Sequence, residues 1–500
     1  MKNKLQFNRR DFLMAAGAAA LAPVQVLRGQ PTYEPSWNSL GKHKDPAWFG
    51  DAKFGIYFHW GPYSVPAFDT EWYSRNMYIE GTRANQYHRL VYGPPSSFGY
   101  KDFIPLFRAE KFDAEEWADL FRKAGAKFAG PVTEHADGFS MWDSKLSRWN
   151  AAQMGPQRDV VGEMAKAIRN QHLKFITTFH HQWLWGWYPT LDKTLDTSDP
   201  KYAGLYGPPA PSSPFDYIKA TPAPPQEFQD MWENKVKEVI YKFQPDLLWF
   251  DSRMNIIDER HRIDLFTFYY NKAEQWQREV GVAYKEKDLP SAVGIEDLER
   301  GRMSKIVSED WLNDDAIDWN SWSHVQKPAY KSVDRLVTEL VDIVSKNGNL
   351  LLDITPMASG VIPAEVKERL LEVGDWLRVN GEAIYETRPW KIFGEGPTKV
   401  QEGQFGEEKI PDFTAQDIRF TSRWKTLYAI ALNWPQATRE FVIKSLNAKD
   451  ALISKSEVAG IRMLGSEEKL SWQQDAQGLK ISLPLQKPGK YACVFKILLG

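Results

Sequence analysis

Between residues 53 and 376 the chain repeats one pattern: a short, nearly unbroken apolar run, then a longer stretch whose apolar residues recur at helical spacing. The runs 53–59, 126–132, 173–179, 246–250, 281–284 and 349–354 read as strands, and the stretches 112–124, 159–171, 227–243, 261–279, 332–345 and 363–379 as helices. Strands that are apolar on both faces pair in parallel and need helices to cover them. With this many units in one domain, an α/β fold of the (β/α)8-like barrel type fits better than an open sheet. Polar residues recur just past the strand ends: His59, Glu134-His135, His180-His181, Asp251 and Asp353. In a barrel those positions share the face on which active sites are built, so the pattern predicts an enzyme.

After about residue 390 the helical spacing stops. Short runs at 417–421, 427–432, 440–443, 461–464, 479–483 and 491–497, broken by turn residues, predict a C-terminal antiparallel β-sandwich. The expected division is an N-terminal segment over 1–29, a catalytic barrel over 30–388 and the sandwich over 389–500. In the first segment Arg9-Arg10 precedes an Ala-rich apolar stretch that is free of acidic residues and too short to span a bilayer. That is the pattern of a twin-arginine export signal, and it predicts a periplasmic or secreted protein. The stretch 188–225, rich in Pro, Gly, Ser, Asp and Tyr, is expected to form an irregular loop over the active face.

Composition narrows the function. A net charge of −2 implies no basic surface, which argues against nucleic acid and anionic membrane as partners. No later stretch is apolar enough to cross a bilayer. Aromatic residues reach 14%, with 21 Trp; such rings serve a core and are equally the surface on which sugar C–H faces pack, and composition does not separate the two. The single cysteine, Cys493, excludes an intramolecular disulfide and reads as core within Tyr-Ala-Cys-Val-Phe. His180 and His181 are adjacent, not four apart as in a helical zinc motif, and no phosphate loop or serine elbow is visible. Neither metal nor cofactor is expected.

Several motifs carry more. The run 48–66, containing Lys53-Phe54-Gly55-Ile56-Tyr57-Phe58-His59-Trp60-Gly61-Pro62, is followed by Glu71-Trp72-Tyr73. Then come Gly125-Ala126-Lys127-Phe128, His135-Ala136-Asp137-Gly138-Phe139, Trp142-Asp143-Ser144, Pro245-Asp246-Leu247-Leu248-Trp249-Phe250-Asp251 and Asn347-Gly348-Asn349-Leu350-Leu351-Leu352-Asp353. In this order they resemble the α-L-fucosidases of glycoside hydrolase family 29, from about Trp48 to Trp390. The resemblance implies a (β/α)8-like catalytic domain with a C-terminal β-sandwich. It also implies retaining hydrolysis of terminal α-L-fucosyl units from fucosylated oligosaccharides or polysaccharides.

Retention needs two carboxyl groups about 5–5.5 Å apart, one to attack the anomeric carbon and one to act as acid and then base. The resemblance assigns the nucleophile to Asp251 and places the acid/base in the segment 293–302, at Glu299 or alternatively Glu296. It assigns fucose contacts to His59, Glu71, Trp72 and His135. Trp249 stands two residues before Asp251 on one strand, and Trp311 and Trp322 are expected to wall the pocket. One departure stands out: the family's His-His-Asp-Gly-Phe reads here with Ala136 as its second residue, and its Tyr pair reads as His180-His181. Either of those histidines is expected to fill the space at Ala136. The alternative is a pocket for a substituted fucose, such as a sulfated one, or L-galactose; an inactive glycan-binding protein is the more distant reading.

Overall fold

The computed structural model describes residues 32–211, 222–435, 439–449 and 452–500. The segment read as an export signal lies outside the described residues.

Eight parallel strands close into a barrel in sequence order: β1 Phe54–Phe58, β2 Phe128–Glu134, β3 Lys174–Phe179, β4 Leu247–Phe250, β5 Gly281–Lys285, β6 Ile295–Asp297, β7 Trp311–Ala316 and β8 Gly348–Ile354. β8 pairs with β1 through Tyr57 and Asp353, which shuts the sheet. Six longer helices cover it: α1 Ala114–Lys123, α2 Val160–Asn170, α3 Gln226–Phe243, α4 Glu259–Trp276, α5 Val333–Val344 and α6 Ala364–Asn380. α1 illustrates why these form. Asp113 caps the backbone N–H groups of Glu115 and Glu116, acidic residues fill the first turn and Arg122 and Lys123 the last, and Trp117, Leu120 and Phe121 face the barrel.

Residues of alternate parity point inward. Tyr57, Phe128, Ile176, Leu247, Trp249, Ala283, Ile295, Leu312 and Leu351 form one cluster inside the barrel. The outward residues form a larger cluster with the helices.

No helix separates β5, β6 and β7. β6 and β7 are the two strands that the periodicity does not reveal. β7 carries Asn313, Asp314 and Asp315 in the middle of a fully buried strand. Each finds a partner across the structure: Asn313 accepts from Arg302 at 3.1 Å, Asp314 meets Lys285 Nζ at 3.0 Å and Asp315 meets Lys331 Nζ at 2.6 Å. An apolar run is therefore absent although burial is complete.

The C-terminal part is a two-sheet sandwich. One sheet has the order β13-β16-β11-β10-β9, from Val458–Met463, Cys493–Leu499, Thr426–Ala431, Ile418–Arg423 and Arg388–Glu395; the other has β12-β15-β14, from Glu440–Ile443, Gly478–Ser482 and Trp472–Asp475. Phe441 and Phe495 stack between the sheets at 4.5 Å, and Cys493 is buried in the same core. β9 and β14 are the strands the pattern misses. Neither β9 nor β14 has a buried residue, so neither alternates visibly. Trp376 of α6 donates its indole N–H to Ala492 O at 2.7 Å, and Arg419 of β10 pairs with Asp342 of α5 at 2.6 Å, which ties sandwich to barrel.

The stretch expected to be an irregular loop contains short helical turns at Asp196–Ser198, Pro200–Tyr202 and Ala203–Tyr206. Residues 212–221 of it lie outside the described residues. No described helix is long and apolar enough to cross a membrane.

Candidate active site

Strand parity decides which polar residues meet at the barrel mouth. Asp251 follows Trp249 by two and so faces inward, as do Lys285 after Ala283, Asp297 after Ile295, Asp314 after Leu312, Asp353 after Leu351 and His59 after Tyr57.

The charged part centres on Lys285. Its Nζ lies 3.3 Å from Asp251 Oδ1, 2.7 Å from Glu299 Oε2 and 3.0 Å from Asp314 Oδ2. Two oxygens 3.3 and 2.7 Å from a common nitrogen are separated by at most the sum of those distances, 6.0 Å. Asp251 and Glu299 side chains are each 18% exposed, whereas Asp314 is 1% exposed. The first two therefore reach a ligand, and Asp314 supports from beneath. Asp251 also accepts from Ser252 N at 2.8 Å and from His180 Nδ1 at 3.2 Å. Burial opposes its ionisation, but Lys285 and the His180 hydrogen bond outweigh it and hold the carboxyl below the usual range. Glu299 moves the other way: burial raises its pKa, the Asp251 charge adds to that, and Lys285 only partly offsets them. Asp314 is raised by burial and by Asp297. Two acids in contact with one ammonium are thus pushed apart, as an attacking carboxylate and a protonated partner require.

Arg300 follows Glu299 with a positive φ of 43°, a conformation that non-glycine residues adopt only where surroundings impose it. Its guanidinium donates to Trp319 O and Glu407 Oε1, both at 2.7 Å, and lies 4.6 Å from the Trp322 ring.

The other part is imidazole. His59 Nδ1 donates to Asp353 Oδ1 at 2.9 Å. The His180 ring is 5.0 Å from His59 and 4.9 Å from His135, and His135 is 5.4 Å from His59. Burial lowers the pKa of all three, and their mutual proximity lowers His59 and His135 further, so they are neutral. His135 reaches the mouth because β2 shifts register between Val132 and Glu134. Glu134 is thereby turned out to Lys235 of α3 at 2.6 Å. The glycine of the same motif, Gly138, sits at φ +78°, and a Cβ there would lie 2.1 Å from Leu205 O.

Aromatic rings line the rest. Trp322 is 5.7 Å from His59, and its backbone N–H donates to Glu71 Oε2 at 3.2 Å. Burial raises the Glu71 carboxyl to about 7. Trp72 lies 4.7 Å from Trp187, which is 5.9 Å from His135. Trp249 donates to Asp297 Oδ2 at 2.7 Å and floors the site 5.0 Å from His180.

Three expected residues fall elsewhere. Glu296 has the opposite parity to Ile295 and Asp297 on β6 and faces outward beside Tyr284. His181 follows His180 by one and turns to Trp232 on α3, contacting its carbonyl at 3.2 Å. Trp311 opens β7 at the far end of the barrel, bonded to Lys346 O at 3.0 Å. Lys285, Asp297, Asp314 and Arg300 were not singled out from the sequence. Lys285 offered a signal, a lysine ending an otherwise apolar strand.

A closed parallel barrel with two reachable carboxyl groups at its C-terminal mouth, ringed by tryptophans, defines a glycoside hydrolase. The chain belongs to the α-L-fucosidase family: the model described as Alpha-L-fucosidase matches residues 20–382, and that of the Alpha-L-fucosidase C-terminal domain matches 411–498. Among curated relatives, the tissue alpha-L-fucosidase of Rattus norvegicus is 31% identical, over 96% of this chain and 93% of its own. The plasma alpha-L-fucosidase of Homo sapiens is also 31% identical, over 90% and 88%. The crystal structure of the Thermotoga maritima alpha-fucosidase in complex with fucose superposes with a TM-score of 0.74 at 32% identity, covering 93% of this chain and all of that one.

Proposed function

We propose that this chain hydrolyses terminal α-L-fucosyl linkages with retention of configuration. Asp251 attacks the anomeric carbon and displaces the aglycone, whose oxygen takes the proton of Glu299. Glu299 then removes a proton from water, which cleaves the fucosyl–Asp251 ester and returns Asp251 as carboxylate. His59, Glu71, Trp72, His135, His180, Trp249 and Trp322 surround the sugar ring. The observation that carries this reading is the shared contact of Asp251 and Glu299 with Lys285. It holds the contacted oxygens within 6.0 Å, below the 6.5–9.5 Å that an inverting enzyme needs for its water. The paired arginines at 9–10 support export of the folded chain as part of the same proposal.

The test is hydrolysis of 4-nitrophenyl α-L-fucoside beside a panel of other aryl glycosides, with the product anomer followed by NMR. First-formed α-L-fucose is expected. First-formed β-L-fucose would remove the nucleophile role from Asp251, and hydrolysis of another glycoside alone would remove the sugar assignment.

A further inference from the structure

His59, His135 and His180 come from the ends of three different strands, yet one ring nitrogen of each lies within 4.8 Å of the other two. All three side chains are at least nine-tenths buried. We propose that this cluster is a binding site for a zinc-type divalent transition ion, which occupies the sugar pocket in competition with the substrate.

The donor set fits the ion. Zinc takes neutral imidazole nitrogens at 2.0–2.1 Å, in three-histidine sites with a fourth position open. In a tetrahedral site those nitrogens stand roughly 3.3 Å apart, and here they lie within 4.8 Å of one another before any ion draws them in. Metal-bound histidines characteristically donate their second N–H to a carboxylate, which fixes the tautomer and aims the remaining nitrogen. Two of the three already do so: His59 Nδ1 to Asp353 at 2.9 Å and His180 Nδ1 to Asp251 at 3.2 Å. That leaves Nε2 of each as the free donor atom.

A second observation is independent of the spacing. His180 Nε2 and His135 Nδ1 are buried nitrogens without a hydrogen-bond partner among the described residues. A buried polar atom left unpaired is costly and calls for a ligand. Sugar hydroxyls satisfy these atoms when substrate is bound; an ion satisfies them when it is not. Lys285 and Arg300 disfavour positive charge at His59, and the Asp251 carboxylate, hydrogen-bonded to His180, faces the cluster against them.

The experiment uses the full chain, stripped with chelator and titrated with zinc sulfate by calorimetry without substrate, so its outcome does not depend on the activity. One ion per chain is expected, with visible absorption of a tetrahedral site when cobalt replaces zinc. His180→Tyr and His135→Gln should each weaken binding at least ~10-fold. L-fucose should weaken it in the parent, and zinc should inhibit aryl fucoside hydrolysis competitively. Circular dichroism establishes that each variant folds, and either one alone decides the matter. No stoichiometric binding by the parent, or binding unchanged in a folded variant, would overturn the proposal.

Discussion

The two sides of the barrel mouth are built on opposite electrostatic principles. From β1 to β3 the strands end in His59, His135 and His180, which burial keeps uncharged. From β4 to β7 they end in Asp251, Lys285, Glu299 and Asp314, a knot of charge in which one ammonium touches three carboxyl groups. The neutral side hydrogen-bonds without imposing a field, which suits recognition of hydroxyl groups. The charged side separates the pKa values of two acids, which suits bond cleavage. The backbone follows the same division. The neutral side has helices between its strands, and the charged side has none between β5 and β7.

This contrast predicts a ranking of effects. The largest belongs to Asp251→Gly, which should lower kcat by roughly 10³-fold or more, since the covalent step is lost; steady-state rates on an aryl fucoside check it, and parent-like turnover would move the nucleophile elsewhere. Next comes Glu299→Gln, expected to lower kcat/KM about 10²–10⁴-fold on natural glycosides. The loss should shrink for leaving groups that need no proton, while Glu296→Gln should remain within about two-fold because it faces outward. A reversed order between the two would exchange their roles.

Lys285→Met probes the charged side directly. The ammonium lowers both carboxyl groups it touches, so its removal raises both. Activity needs Asp251 ionised and Glu299 protonated. The acid limb of the kcat/KM profile follows the first and the alkaline limb the second, so both limbs should move to higher pH. An unmoved profile would mean that the ammonium does not set the titration of the pair. On the neutral side, His180→Gln should raise KM more than His181→Gln, since only His180 faces the mouth; equal effects would erase the distinction drawn from strand parity.

The smallest effect is on stability. Glu71 has a folded-state pKa of about 7, above its unfolded value near 4.5. The folded form therefore prefers the proton, and stability falls as pH rises from about 4.5 through 7. Glu71→Gln removes that penalty, so its melting temperature should exceed the parent's at pH 8 and match it at pH 4. A lower value at pH 8 would show that the carboxylate is better satisfied than its burial implies.

The same division governs what the sequence discloses. β1 to β5 and β8 are visible because each reads as a nearly continuous apolar run. β7 is hidden because Asp314 and Asp315 point to opposite faces and each finds a cation there. Asp251 and His59 are legible as polar residues past apolar runs. Lys285 and Arg300 matter through partners distant in sequence, and no local pattern reveals those. Glu296 is misplaced because a neighbour one residue away on a strand faces the other side, which parity could have excluded, whereas His181 opens a helical turn just past β3 that carries it to Trp232. The three-histidine cluster is invisible to any spacing rule, since each ring comes from a different strand.

The connection between β9 and β10 of the sandwich has one further effect. Phe405 N donates to Glu299 O at 2.9 Å, Gly406 N to Arg300 O at 3.2 Å, and Glu407 takes both Arg300 and Lys331. A ribosome has released every barrel strand before it makes these residues. Until they arrive, Arg300 lacks Glu407, Lys331 keeps Asp315 and Glu339, and the loop bearing Glu299 lacks its backing. The last support of the catalytic loop is thus made after every strand of the barrel.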